Sequence, residues 1–188
     1  TKSFVHGVPL YGVLVGIEIH GEAEVGVAHF PALGETVSAA LGLGCRWKRR
    51  AAGEETGNSG SQERGRESSA ESHASTVDRL AEAVVLTTDE KAIRRSPLGD
   101  GWARLTDRVA YSRTWGDCYG HCLVATGRAE VMVDPELNPW DAAPLLPIVT
   151  ESGGRFTDLT GNPTIHGGSG VSTNGRLHDE VLGILTGR

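Results

Sequence analysis

A single carboxylate, Asp141, opens an otherwise apolar stretch that reads NPWDAAPLLPIVTESGG from Asn138 to Gly154. An acid among side chains that belong in a core is costly to bury unless something pairs with it. Two roles suit it. If a helix begins just after it, Asp141 is the N-cap, its carboxylate accepting orphan backbone N–H groups. Pro144 then falls in the first turn, where a missing N–H is harmless, and Pro147 kinks the helix beyond that turn. In the second role the carboxylate projects from the helix start toward a hard cation. Magnesium takes a few carboxylates together with water and substrate phosphate, and a helix N-terminus favours the phosphate itself. The two roles are compatible.

A second chemically dense run lies upstream, SRTWGDCYGHC from Ser112 to Cys122. Cys118 and Cys122 are four apart on an expected helix with His121 between them, a spacing that invites a metal. A tetrahedral zinc site needs further ligands, and none stands nearby in the chain. Asp117 could cap the helix it precedes, and Trp115 and Tyr119 have the ordinary alternative of packing in the core. His6 is a poor candidate for a general base, and Lys2 suits phosphate or solvent.

These residues have to be positioned by elements whose signals are legible. YGVLVGIEI (11–19) and AEVGVAHF (23–30) are β-rich runs joined by HGEA, a hairpin continued by a strand around Glu35–Leu41. Gly12, Gly16 and Gly26 in these runs suggest close backbone packing or bulges rather than ligand cradling. Beyond residue 80, EAVVLTTD reads as a buried strand, with helix from there to about Val109 and a short strand near Ala110–Ser112. DCYGHCLVATGR reads as a helix, AEVMVD as a strand, the Asp141 segment as a helix ending at SGG, and GRFTDLTG and GVSTNG as strands. RLHDEVLGIL is a terminal amphipathic helix with Leu177, Val181, Leu182 and Leu185 on one face. An antiparallel meander before alternating strands and helices predicts an α/β layered fold. Between them, the polar run within residues 49–76 holds no side chain more apolar than alanine or threonine. It cannot repay its ordering entropy and is expected to form a flexible polar insertion. The expected division is thus 1–48, the insertion 49–76, and a C-terminal α/β domain over 77–188.

Composition bounds the partners. The 188 residues carry a net charge of −6 and 26 glycines, and only RWKRR (46–50) is a basic run. That argues against a nucleic-acid or anionic-membrane partner. No apolar run reaches the roughly 20 residues of a membrane span. Cys45, Cys118 and Cys122 form no disulfide spacing, so a reducing, cytoplasmic setting is expected. The chain opens at Thr1 without a methionine, as a processed product or an incomplete sequence would.

The ordered series of motifs carries a resemblance. NPWDAAPLLPIVTESGGRFTDLTG resembles the second signature of the inositol monophosphatase family, W-D-x-A-A-x-x-x-I-x-x-E-x-G-G. TKSFVHGVPLYGVLVGIE looks like the text directly after that family's first signature, D-P-I-D-G-T. CLVATGRAEVMVD and GVSTNGRLHDEVL match further segments, so the likeness covers residues 1–48 and 77–188. Within the family, SRTWGDCYGHCLVATGRAEVMVDPELNPWDAA looks most like histidinol-phosphatases.

The resemblance implies an αβαβα sandwich and magnesium-dependent hydrolysis of a small phosphomonoester, with histidinol phosphate, a step of histidine biosynthesis, as the leading substrate. It implies that Asp141 binds metal, that Thr1 helps orient the attacking water, and that Asp134 contacts substrate. It also implies a homodimer in the complete protein. The family's other metal carboxylates would precede Thr1, so this chain by itself is expected to be N-terminally incomplete and inactive. Histidinol phosphate carries an ammonium and an imidazole, so its pocket needs acids and a flat apolar wall. Asp117 and Asp134 could take the cationic end, Trp115 or Tyr119 could stack on the ring, and Arg113 could reach phosphate or pair with an acid. The competing readings are an inositol-phosphate phosphatase of the same family and a non-catalytic derivative that keeps the fold.

Overall fold

The computed structural model describes residues 2–50 and 67–188. A one-turn helix, α1 (Lys2–Val5), leads into an antiparallel meander of β1 (Val13–Ile19), β2 (Glu22–Phe30), β3 (Glu35–Ala40), β4 (Cys45–Arg50) and β5 (Glu67–Glu71), each strand pairing with the next. The β1–β2 turn is tight because His20 and Gly21 both take positive φ, 54° and 87°. That backbone matches the right-handed twist of the flanking strands. Arg49 and Arg50 pair with Ser68 and Glu67 in the β4–β5 ladder, which also sets Arg46 opposite Glu71. Ladder hydrogen bonds order Glu67–Glu71, which has no side chain more apolar than alanine. Residues 51–66 lie outside the described residues.

The second sheet has the order β7-β6-β8-β10-β9, from β6 (Val84–Thr87), β7 (Tyr111–Arg113), β8 (Val131–Asp134), β9 (Arg155–Thr157) and β10 (Gly170–Thr173). β6 runs parallel to β7 and β8, while β10 is antiparallel to β8 and β9. Its helices are α2 (Glu90–Arg95), α3 (Gly99–Thr106), α4 (Cys118–Ala125), α5 (Pro139–Glu151) and α6 (His178–Thr186). β8 shows why its sequence is continuously apolar. Met132 joins the core formed with α4, α5 and the first sheet, whereas Val131 and Val133 join the core under α2, α3 and α6. A strand covered on both faces has no reason to alternate.

The layers therefore run first sheet, α4 and α5, second sheet, then α2, α3 and α6. This is the expected layered α/β sandwich, and among the described residues no helix covers the outer face of the first sheet. Val13, Val15 and Ile17 on that face are 57%, 53% and 46% exposed.

α5 is the central element, packed against both sheets and α4. It begins earlier than the sequence suggests. Asn138 is its N-cap residue and Pro139 its first helical position, where a fixed φ and an absent N–H suit the helix start. Asp141 is thus in the first turn and is not the cap, and Pro144 lies in the helix interior with Pro147. Each of these prolines removes one hydrogen bond to the carbonyl four residues earlier. Direct backbone contact seats the helix on the meander. A Cβ at Gly26 would lie 2.0 Å from the Pro144 carbonyl oxygen, and one at Gly16 would lie 2.6 Å from Ala143 Cβ. At its other end, Glu151 accepts from the N–H groups of Gly42 (2.9 Å) and Gly44 (2.7 Å) in the β3–β4 turn.

Candidate active site

The two parallel strands β6 and β8 end side by side, and the chain leaves each toward the same region. In sheets with parallel strands, ligands collect at those carboxyl ends. Here the starts of α4 and α5 join them around a cleft of about 400 Å³. Four acids line it: Asp117 just before α4, Asp134 at the end of β8, Glu136 two residues beyond it, and Asp141 in the first turn of α5.

Asp117 is held in an unusual backbone conformation, φ 53° and ψ −157°, and its side chain makes no capping bond to α4. Its N–H donates instead to Thr88 Oγ1 at 2.8 Å. Gly116 permits this approach, since a Cβ there would sit 2.3 Å from Thr88 Cα. Strain of this kind persists only where the surroundings enforce it, and it gathers at functional sites. The carboxyl's pKa is raised, first by burial, then by the negative fields of Asp134 and Asp141. The part of this shift that comes from the neighbouring carboxylates is a negative field that would attract a cation.

Asp134 is 4% exposed. Its Oδ2 accepts a hydrogen bond from His121 Nε2 at 3.2 Å, and His121 Nδ1 lies 2.7 Å from Ser172 Oγ. Both ring nitrogens are therefore committed, which disposes of the Cys118–His121–Cys122 metal reading. Cys118 also lines the cleft, but burial and the charge of Asp117 push its thiol up to about 12. It is a neutral wall and not a thiolate nucleophile.

Arg113, Trp115 and Tyr119 are not brought into this cleft. Arg113 lies on the β7 edge with its guanidinium 4.8 Å over the Tyr111 ring. Trp115 is half-exposed elsewhere on the loop, and Tyr119 is buried edge-on against Phe30, with Arg128 donating to its hydroxyl. Tyr119 faces away from the cleft because its side chain is drawn toward β2. Thr1 lies outside the described residues. Thr88, Glu136 and Tyr11 line the cleft without having been expected. Glu136, two residues beyond Asp134, could have been found from that spacing, whereas Thr88 and Tyr11 carry no local signal. Gly12 also lines the cleft, though packed closely on Phe30 and Cys118.

The carboxylates supply the anionic oxygen donors a hard cation takes. Among the described residues, however, no three His, Cys, Asp or Glu side chains are placed to enclose a metal ion. They fit one side of such a site. Nor is any helix among them long and apolar enough to cross a membrane.

The sequence pattern of the inositol monophosphatase family matches residues 1–186. The chain belongs to the inositol monophosphatase family. It is 40% identical over 186 residues to a histidinol-phosphatase of Chlorobaculum parvum, covering 98% of this chain and 64% of that protein. It is 36% identical over 191 residues to a histidinol-phosphatase of Mycobacterium tuberculosis, covering 97% of this chain and 64% of that protein. Among solved structures, the Thermotoga maritima IMPase superposes with a TM-score of 0.76 at 28% identity, covering 99% of this chain and 65% of the other. The chain thus spans about two thirds of the length of these relatives, and the layered fold is the family's.

Proposed function

We propose that this protein hydrolyses a small phosphomonoester and that histidinol phosphate is its substrate. The observation that carries the reading is the convergence of Asp117, Asp134 and Asp141 on one cleft at the starts of two helices. Asp141 would hold magnesium from the first turn of α5, with further ligands from outside the described residues. Bound there, the ion would polarise the phosphoryl group and acidify a water. The chain's own share is positioning. The α5 N-terminus favours the phosphate dianion. Asp117 and Asp134 line the same cleft, where their carboxyl groups would meet a substrate ammonium. Cys118, Leu137 and Leu145 give the cleft an apolar wall, which supports a ring. The relatives named as histidinol-phosphatases support the choice over inositol phosphate. Cys45, Cys118 and Cys122 are all free thiols, which suits a reducing cytoplasm.

The test is phosphate release by the protein at its full natural length, with magnesium, from histidinol phosphate and from inositol 1-phosphate. A preference for histidinol phosphate is expected, and preference for inositol phosphate would overturn the substrate assignment. Asp117→Asn, which removes charge at nearly constant shape, should lower kcat/KM for histidinol phosphate by about 30-fold, the worth of one charged contact of about 2 kcal/mol. On a phosphomonoester of a neutral alcohol the loss should stay within about threefold. Equal losses on both would remove Asp117 from substrate recognition.

A further inference from the structure

We propose that His121 is a positioning residue for Asp134, and that Ser172, His121 and Asp134 form a directed hydrogen-bond chain that aims one carboxylate oxygen into the cleft. The proposal rests on the substrate-facing role given to Asp134 above.

Three elements meet in this chain: β10 supplies Ser172, α4 supplies His121, and β8 supplies Asp134. Their approach is built into the packing. A Cβ at Gly120 would meet Met132 Sδ at 2.6 Å and the Trp115 carbonyl oxygen at 2.9 Å, so α4 rides close on β8 and His121 reaches the end of that strand. The imidazole is fully buried, with the Phe156 ring 6.0 Å from it, centroid to centroid.

The chemistry fixes the direction. A carboxylate only accepts, so His121 Nε2 carries a proton and donates it in the bond to Asp134 Oδ2. In the neutral ring Nδ1 is then an acceptor, satisfied by the Ser172 hydroxyl. The Asp134 carboxylate thus selects the tautomer, the Ser172 hydroxyl rotates to satisfy the other nitrogen and fix the ring, and the ring position sets which carboxylate oxygen is occupied. Oδ1 of Asp134 takes no hydrogen bond from a described residue and is the oxygen left for a ligand cation. A core position with no such task is filled at lower cost by an apolar side chain, because a buried imidazole needs both nitrogens satisfied. Second partners that orient a working side chain in this way control its geometry rather than its chemistry.

The experiment uses the protein at its full natural length with magnesium. Long-range ¹H–¹⁵N correlation of its histidines should show His121 protonated at Nε2, and a ring protonated only at Nδ1 would overturn the proposal. In kinetics, His121→Leu should raise KM for histidinol phosphate by about tenfold, with kcat and the KM for β-glycerophosphate changed by less than about twofold. His121→Gln, which keeps an N–H donor at the same depth, should recover most of that loss. Equal KM increases on both substrates, or no recovery with Gln, would reduce His121 to a packing residue. If thermal melting shows that His121→Leu does not fold, Ser172→Ala carries the test. It should raise KM for histidinol phosphate alone by about threefold, and no change would overturn the proposal. Should the wild-type protein prefer another phosphomonoester, the substrate assignment fails, while the tautomer still decides whether His121 donates to Asp134.

Discussion

Adding one methyl group at Gly26 should unseat the helix that carries Asp141. The atoms a Cβ would meet are all backbone: the Pro144 carbonyl oxygen at 2.0 Å, its carbon at 2.8 Å and Pro144 Cα at 2.9 Å. No side chain can rotate aside. Real Cβ contacts do not fall below 3.0 Å, so β2 and α5 must separate by about 1 Å. A gap of that size forfeits a quarter to a half of the dispersion attraction along the contact. The helix buries Ala142, Leu145, Ile148 and Val149, which places Gly26→Ala at the upper end of overpacking penalties, about 3 kcal/mol. Gly42→Ala is the control. Its Cβ would meet nothing within 4 Å, but its φ of +76° is unfavourable for a side chain, a cost of about 1 kcal/mol. Urea unfolding of both variants gives the comparison, read from the midpoint at constant slope. Because Asp141 lies one turn before Pro144, kcat/KM should fall further than stability alone explains. A Gly26→Ala variant within about 1 kcal/mol of wild type, or less destabilised than Gly42→Ala, would refute direct backbone seating of α5.

Two further outcomes rest on buried polar groups. His178 sits between the hydroxyls of Thr157 and Thr173, and burial, with Arg155 nearby, lowers its pKa from 6.5 to about 4. The unfolded chain takes the proton first as pH falls, so this contribution is complete above about pH 7 and lost between pH 6.5 and 4. It amounts to about 3 kcal/mol in all, and His178→Gln should flatten that part of a stability-against-pH curve. Arg128 holds Glu35 through both nitrogens, at 3.0 and 3.4 Å, and stacks 4.4 Å over Trp47. Arg128→Lys keeps the charge but loses the fork and the stack, and should lower stability by about 1–2 kcal/mol in urea unfolding.

What the sequence determined by itself is local. The hairpin at His20–Gly21, the buried strand VMVD and the placing of Asp141 at a helix start all come from turn chemistry, apolar runs and proline rules, which act over a few residues. The same rules set that helix start too late, because Asp141 and Pro139 each satisfy a start signal and only the folded backbone chooses Pro139. The family resemblance came from motifs in order along the chain and needed no geometry. Only the tertiary structure decided which side chains share the cleft. Asp117, Asp134 and Asp141 come from three separate parts of the chain and converge because α4 and α5 lie between two sheets and start at the same strand ends. Tyr119, two residues from Asp117, turns instead toward Phe30, since a helix rotates each successive residue by about 100° and packing chooses the face. Thr88, far from all of them in the chain, enters because Gly116 lets two backbones approach. Such contacts depend on how layers stack, and no pattern within a dozen residues encodes that.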